Sequence, residues 1–171
     1  MDWHGFLLEI QASGLSTWVR ESQSLLGFPT ILAIHAIGMG FLVGSCAAMD
    51  LRVLGFAKRI PMLSTEGLVP VMRFGFWLNA TSGLLLLLAY PIKNFSNPVF
   101  FLKLFLIAIA LLDTSLILKH VVRKAPVGHA GASMKGRILA GVSLVLWTGA
   151  VVAGRLLFYT YKHLDSSGNP F

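Results

Sequence analysis

Three basic side chains lie inside long apolar segments of this sequence, where an ionisable group is costly. They are His35, Lys103 and Arg155, each five or six residues from one end of its segment. At about 1.5 Å per residue, all three are predicted to lie roughly 7–9 Å below the same membrane interface. No acidic residue is expected at that level. We therefore expect an anionic or strongly polar group there, such as a haem propionate, a quinone, a lipid head group, water or a partner subunit.

Other polar and aromatic residues extend this candidate site. Asn79 lies near the middle of a neighbouring segment, and Trp147, Arg155 and Tyr159 recur at spacings of four and eight, which predicts one helix face. The predicted cofactor-binding set is His35, Asn79, Lys103, Trp147, Arg155 and Tyr159. Simpler alternatives stay open. The two long cations can extend toward the interface, the histidine can hydrogen-bond to a neighbouring helix, and the aromatic residues can form a packed stripe.

The histidines offer one candidate metal site. His35 is the candidate axial ligand of a haem iron, and His4 and His163, expected on the same side of the membrane, are weak candidates for a second ligand. His120 and His129 are expected on the opposite side, so they are too distant to share that iron. No two histidines stand at metal-ligand spacing on a helix.

A second polar layer is predicted near the opposite membrane interface. It contains Asp50, Arg52, Arg73 and Asp113, which lie at neighbouring depths on three segments. Two acids and two bases at one level favour ion pairs between helices. The alternative is a proton path, for which Asp113 is the best candidate.

Composition places the chain in a membrane. Of its 171 residues, 56% are hydrophobic and 12% are charged, whereas soluble domains carry about 25% charged residues. The formal charge of +7 comes from cations that flank apolar segments, which does not indicate nucleic-acid binding. The single cysteine, Cys46, excludes an intramolecular disulfide.

The predicted fold is all-α, an up-down bundle of four transmembrane helices. The expected spans are about 29–49, 68–90, 98–121 and 138–159, and 29–171 would form one domain. Residues 1–28 have helical apolar spacing and carry Trp3 and Trp18, so we expect short amphipathic helices at the membrane interface, or an ordinary cap over the bundle.

Small residues recur at a spacing of four in two segments. The first row is Ala36, Gly40, Gly44 and Ala48, and the second row is Gly75, Asn79 and Gly83. Because small residues let two helices approach closely, we expect these rows to pack on each other. That packing would bring Asn79 close to His35.

Basic residues are distributed unevenly among the loops. Three stand in the termini and the second loop, at Arg20, Lys93 and Lys162. Eight stand in and around the first and third loops, at Arg52, Lys58, Arg59, Lys119, Arg123, Lys124, Lys135 and Arg137. The positive-inside rule therefore predicts cytoplasmic first and third loops, with both termini outside.

Several short motifs resemble those of an uncharacterised family of small bacterial four-helix membrane proteins. They are Leu32–His35, Asp50–Arg52, Asn79–Gly83, Asn97–Phe100 with Lys103, and Gly154–Arg155. The chain is more distantly similar to the membrane domains of CopD-type copper-resistance proteins and HemJ-type protoporphyrinogen oxidases. That resemblance implies haem, copper or porphyrin chemistry near His35. The chain departs from it by lacking a second histidine within the spans and a copper-binding Met/His cluster.

These observations favour a membrane redox or electron-transfer module that binds a b-type haem or a quinone. The alternative is a non-catalytic accessory or assembly subunit that packs on a larger membrane complex or forms a homo-oligomer. A small transporter is a third hypothesis, which would need several copies because four helices enclose little space.

Overall fold

The computed structural model describes residues 3–21, 27–124 and 132–166, and these ranges are helical without a strand. Two short helices come first, α1 (Trp3–Ala12) and α2 (Gly14–Glu21). The remaining elements are α3 (Phe28–Leu54), a 3₁₀ helix (Met62–Leu68), α4 (Val69–Ala89), α5 (Pro91–Phe95), α6 (Pro98–Ile117), a π-helical turn (Leu118–Val122) and α7 (Met134–Ser166).

The helix ends follow local chemistry. A proline stands in the first turn of each of α3, α4, α5 and α6, where its missing N–H costs no hydrogen bond. The Asn97 side chain caps α6 by accepting a hydrogen bond from the Val99 backbone N–H at 2.9 Å. At the end of α3, Gly55 takes a left-handed conformation with φ of 108°, which suits glycine.

Four helical stretches of the described chain are long and apolar enough to cross a membrane. They are Phe28–Leu54, Met62–Ala89, Pro98–Val122 and Met134–Leu157. The predicted all-α membrane bundle is therefore confirmed, and each predicted span overlaps one of these stretches. Helix α3, which carries the first span, extends beyond the predicted end at residue 49. It continues through Asp50 and Arg52, two charged residues that are both buried.

The four long helices pack as two hairpins. Helix α3 packs along α4, α6 packs along α7, and the hairpins meet through α3 and α7. Within the described ranges α4 and α6 make almost no contact, although only α5 separates them in sequence. The bundle therefore has a cleft between α4 and α6.

The closest approach between α3 and α4 occurs at two glycines. A Cβ atom added to Gly38 would lie 2.7 Å from the Asn79 backbone nitrogen. One added to Gly75 would lie 2.6 Å from the Leu42 backbone nitrogen. Both distances are too short for a side chain, so these two positions set the separation of the helices.

The prediction that the first small-residue row packs on α4 is wrong. Ala36, Gly40, Gly44 and Ala48 are all exposed, and a Cβ atom at either glycine would meet nothing within 4 Å. Gly38, which does contact α4, lies about 200° around the helix from Gly40. A spacing of four groups small residues on one face, but it does not identify the face that packs.

The two N-terminal helices pack against the end of the hairpin near α5. In α2 the Val19 side chain is buried with Ile31 and Ala89, whereas Trp18 on the same helix is half exposed. The Arg20 guanidinium donates to the Ala89 carbonyl oxygen at 3.3 Å. This contact ties α2 to the C-terminal end of α4.

Candidate functional site

A cavity of about 340 Å³ occupies the half of the cleft near α5. Helices α4 and α6 form its sides, and α3 and α7 form its back. Its wall is mainly apolar, polar side chains reach it from His35, Asn79 and Lys103, and Trp147 also lines it. Four of the six predicted cofactor-binding residues therefore lie around one space.

The His35 ring is oriented by α4. Its Nδ1 atom lies 3.0 Å from the Asn79 carbonyl oxygen and 3.1 Å from Ser82 Oγ. Because a carbonyl oxygen only accepts, Nδ1 is the donor, and in the neutral ring the lone pair is on Nε2. The Nε2 atom makes no hydrogen bond to a described residue, so it remains an acceptor for a ligand.

Asn79 forms a second hydrogen bond with His35, because its Nδ2 atom donates to the His35 carbonyl oxygen on α3 at 2.8 Å. Gly83, one turn further along α4, leaves space for the imidazole. A Cβ atom there would lie 3.0 Å from His35 Cε1. The prediction that the second small-residue row brings Asn79 close to His35 is thus confirmed, although α3 uses a different face.

Lys103 enters the cavity from α6. Its Cε and Nζ atoms would both be 3.5 Å from a Cβ atom added to Gly154 on α7, so the lysine lies along that glycine. Its charge is near enough to His35 for the two to interact electrostatically. The Nζ atom makes no hydrogen bond or ion pair with any described residue. The lysine therefore offers a half-buried cation to whatever enters the cavity.

Trp147 lines this cavity from α7. The side chain is buried, and its Nε1 atom donates to Thr114 Oγ1 at 3.3 Å. Thr114 in turn lies 3.9 Å from the Cys46 sulfur on α3. The indole thus presents its ring to the cavity while its N–H is used elsewhere.

The structure does not place Arg155 and Tyr159, the other two predicted cofactor-binding residues, at this cavity. Both side chains are exposed and neither lines the cavity. The Arg155 guanidinium instead stacks on the Tyr159 ring, 5.6 Å from its centroid. At 100° per residue, each step of four residues turns about 40° around the helix. Two such steps carry Arg155 about 80° away from the face of Trp147.

The second polar layer contains buried acids without the expected ion pairs. Asp50 and Asp113 are buried and near enough to interact electrostatically, yet neither pairs with a cation among the described residues. No described side chain has full hydrogen-bond geometry with either Asp50 oxygen, although the Ser143 hydroxyl lies close enough to become a partner. The Arg52 Nε atom donates to the Ile60 carbonyl oxygen at 2.6 Å, and Arg73 is exposed. A proton path through Asp113 stays a prediction.

The weak second iron ligands are not tested, because the side chains of His4 and His163 lie outside the described part of the chain. His129 also lies outside it. Across the described residues, no three His, Cys, Asp or Glu side chains come together as a metal site.

The uncharged residues that position His35 and Lys103 were not identified from the sequence. Ser82 contacts Nδ1 of His35, and Gly154 makes room for Lys103. Both belong to stretches that the motifs singled out, at Asn79–Gly83 and Gly154–Arg155. Their roles depend on which helix faces meet, and composition does not contain that information.

Comparisons of the chain with protein-family models, curated protein sequences and solved structures found no significant match. The site is defined by its own geometry. It is an apolar cavity with one oriented hydrogen-bond acceptor, one cation, and an open side between two helices that do not pack together.

Proposed function

We propose that this protein is a membrane redox module that binds the head group of a quinone in the cavity between α4 and α6. The observation that carries the proposal is that His35 and Lys103 face one apolar cavity at the cleft. A quinone has a compact polar ring and a long apolar chain. The ring would occupy the cavity and the chain would leave between α4 and α6.

The two polar groups suit the two redox forms of that ring. The Lys103 ammonium donates hydrogen bonds, as a carbonyl oxygen of the oxidised ring requires, whereas Nε2 of neutral His35 accepts one, as a hydroxyl of the reduced ring requires. A bound quinone supplies reversible uptake of two electrons and two protons. The apolar walls exclude water from the head group.

The size of the cavity favours a head group with one ring. Small-molecule sites enclose roughly 300–1,000 Å³, and this cavity of about 340 Å³ lies near the lower limit. A b-type haem, which has four pyrrole rings, would require the two hairpins to separate further.

The haem alternative keeps one specific observation in its favour. Metal-binding histidines commonly donate their second ring N–H to a carbonyl oxygen, which is the arrangement of His35 with Asn79. His35 would then be the axial ligand, and Lys103 would bind a propionate. The resemblance to HemJ-type and CopD-type membrane domains agrees with this version.

Ligand binding by the purified full chain tests the proposal. A short-chain quinone analogue should bind in mild detergent, and Lys103→Gln and His35→Gln should each weaken binding about ten-fold, the effect of losing one charge-assisted hydrogen bond. Lys93→Gln and His120→Gln are matched controls outside the cavity and should bind normally. Equal binding by all four variants would contradict the quinone proposal.

An absorption spectrum of the same preparation separates the haem version. A Soret band that disappears in His35→Ala but persists in His120→Ala would replace the quinone proposal with a haem site. A preparation without a Soret band would remove the haem version.

A second candidate function is an accessory subunit of a larger membrane complex. The observation in its favour is the exposed row of Ala36, Gly40, Gly44 and Ala48, which permits close helix packing but has no partner among the described residues. Purification in gentle detergent should then retain a stoichiometric partner or a second copy. Gly40→Leu should release it.

The proposed location is the bacterial inner membrane, with both termini and the α5 end of the cavity on the outer side. The cation-rich first and third loops support this orientation. A periplasmic alkaline-phosphatase reporter fused to the C-terminus should be active, whereas a reporter inserted after Lys58 should be inactive. The reverse pattern would invert the orientation.

A further inference from the structure

A second cavity lies in the other half of the same cleft. Its volume is about 410 Å³, and Leu42 and Phe76 line both this cavity and the first. Unlike the first, it has two arginines in its wall, Arg73 from α4 and Arg123 from the end of the π-helical turn. The two halves of the cleft therefore differ in chemistry.

Arg73 is positioned early in α4, near the end of the span. The side chain is exposed and makes no hydrogen bond or ion pair with a described residue. From this depth an arginine side chain can extend toward the phosphates of a bilayer, and its guanidinium can donate two parallel hydrogen bonds to phosphate oxygens.

Arg123 reaches the cavity because of the π-helical turn. Its backbone N–H donates to the Leu118 carbonyl oxygen at 3.1 Å, five residues back along the chain. The additional residue in this turn rotates the subsequent residues by about 100° relative to a regular α-helix. The Arg123 Nε atom donates to Glu66 Oε1 at 2.8 Å, which fixes the guanidinium and leaves its two terminal NH₂ groups without a described partner.

The remaining walls suit an acyl chain. Val69, Met72, Leu111 and Leu118 supply apolar surface, and the cavity opens between the same unpacked helices as the first one. Two arginines and one glutamate leave a net charge of +1 at its rim. Apolar walls beside a net positive rim match an anionic amphiphile.

We infer that this cavity binds the phosphate of an anionic phospholipid from the surrounding bilayer, with one acyl chain lying in the cleft. Basic pockets between transmembrane helices hold anionic head groups in this way. Arg73 and Arg123 contact the phosphate, and Glu66 positions Arg123. The inference is independent of the ligand proposed for the first cavity.

Native mass spectrometry of the full chain in mild detergent tests this site. Phosphatidylglycerol should bind in preference to phosphatidylcholine. Arg73→Gln and Arg123→Gln should each weaken binding roughly five-fold, the effect of about one basic side chain at a lipid surface. Arg123→Lys keeps the charge but loses the planar donor pair, so an intermediate loss is expected.

Arg59→Gln is the matched control, because Arg59 is an exposed arginine in the loop after α3 that does not line the cavity. Binding should be unchanged in this variant. An equal loss in Arg59→Gln and Arg73→Gln, or equal binding of both lipids, would overturn the inference.

Two further measurements complete the test. Displacement of the lipid by millimolar inorganic phosphate would show a soluble anion site and would also overturn the lipid assignment. A thermal unfolding scan without lipid establishes that each variant is folded. If Arg123→Gln is unfolded, the exposed Arg73→Gln variant decides the outcome alone.

Discussion

At the scale of single residues, the site depends on how neighbouring helices satisfy or fail to satisfy polar atoms. His35 and Asn79 form two hydrogen bonds between α3 and α4, and these fix the orientation of the imidazole. Asp50 is the opposite case, since both its carboxylate oxygens are buried and no described side chain has full hydrogen-bond geometry with either of them.

Asp50→Asn should therefore stabilise the protein, by at least about 1 kcal/mol in the free energy of unfolding. The substitution replaces a buried acid that interacts electrostatically with Asp113, and the new amide can donate a hydrogen bond to the buried Ser143 hydroxyl oxygen. Thermal or denaturant unfolding in detergent measures the effect. A large loss of stability would instead indicate that Asp50 is held by an ion pair.

Glu66→Gln gives the comparison for this experiment. It breaks the partly exposed pair with Arg123, and we expect a loss of at most about 1 kcal/mol. Replacing the carboxylate by an amide should therefore raise the free energy of unfolding at Asp50 and lower it at Glu66.

Gly83→Ala should weaken quinone binding without unfolding the protein. The added methyl group would lie 3.0 Å from His35 Cε1, so the ring must shift by a few tenths of an ångström and its Nε2 atom with it. We expect a loss of several-fold in affinity for the quinone analogue. Gly141→Ala, where nothing lies within 4 Å, is the control and should bind normally. Normal binding by both variants would mean that the ring orientation does not matter.

At the scale of helices, hydropathy and proline positions predict the spans well, because the bilayer requires continuous apolar helices and proline begins them without cost. Depth along each helix was also predictable, so His35, Asn79 and Lys103 do share one cavity. The rotation of each helix about its own axis was not predictable, because it depends on packing between helices. For this reason the expected inward positions of Gly40 and Arg155 were wrong.

The glycines on α3 provide a direct test of that rotation. Gly38→Ala should destabilise the bundle by about 1–3 kcal/mol, because its methyl group would lie 2.7 Å from the backbone of α4. Gly40→Ala places the same group in open space and should leave the stability unchanged or slightly higher. Comparable stability of the two variants, measured by unfolding in detergent, would contradict the close packing of α3 on α4.

At the scale of the whole molecule, the cleft between α4 and α6 is the main architectural feature. It contains both cavities, and cations from Lys103, Arg73 and Arg123 lie at its two ends. An apolar cleft with charged ends can receive amphiphiles from the bilayer without passage through water. A ligand would therefore enter sideways from the bilayer, between α4 and α6, and not through an opening between the loops that face water.

Ala80→Trp should block the first cavity without disturbing the bundle. Ala80 is exposed on α4 and lines the cavity, so an indole there would extend across the opening rather than into packed helices. We expect loss of quinone binding with an unchanged unfolding temperature. Phosphatidylglycerol binding at the second cavity should be retained. Undiminished quinone binding would mean that the ligand does not enter through the cleft.

The near-absence of contact between α4 and α6 has a consequence for motion. Each hairpin is tightly packed internally, and the hairpins are joined along α3 and α7 on one side and by the five-residue helix α5 at one end. The two hairpins therefore contact each other along α3 and α7, while α4 and α6 lie apart on the open side of the bundle. Rotation of the hairpins about the α3–α7 contact would widen or narrow both cavities together, so a ligand in one cavity would affect the other beyond the direct link through Leu42 and Phe76, which line both.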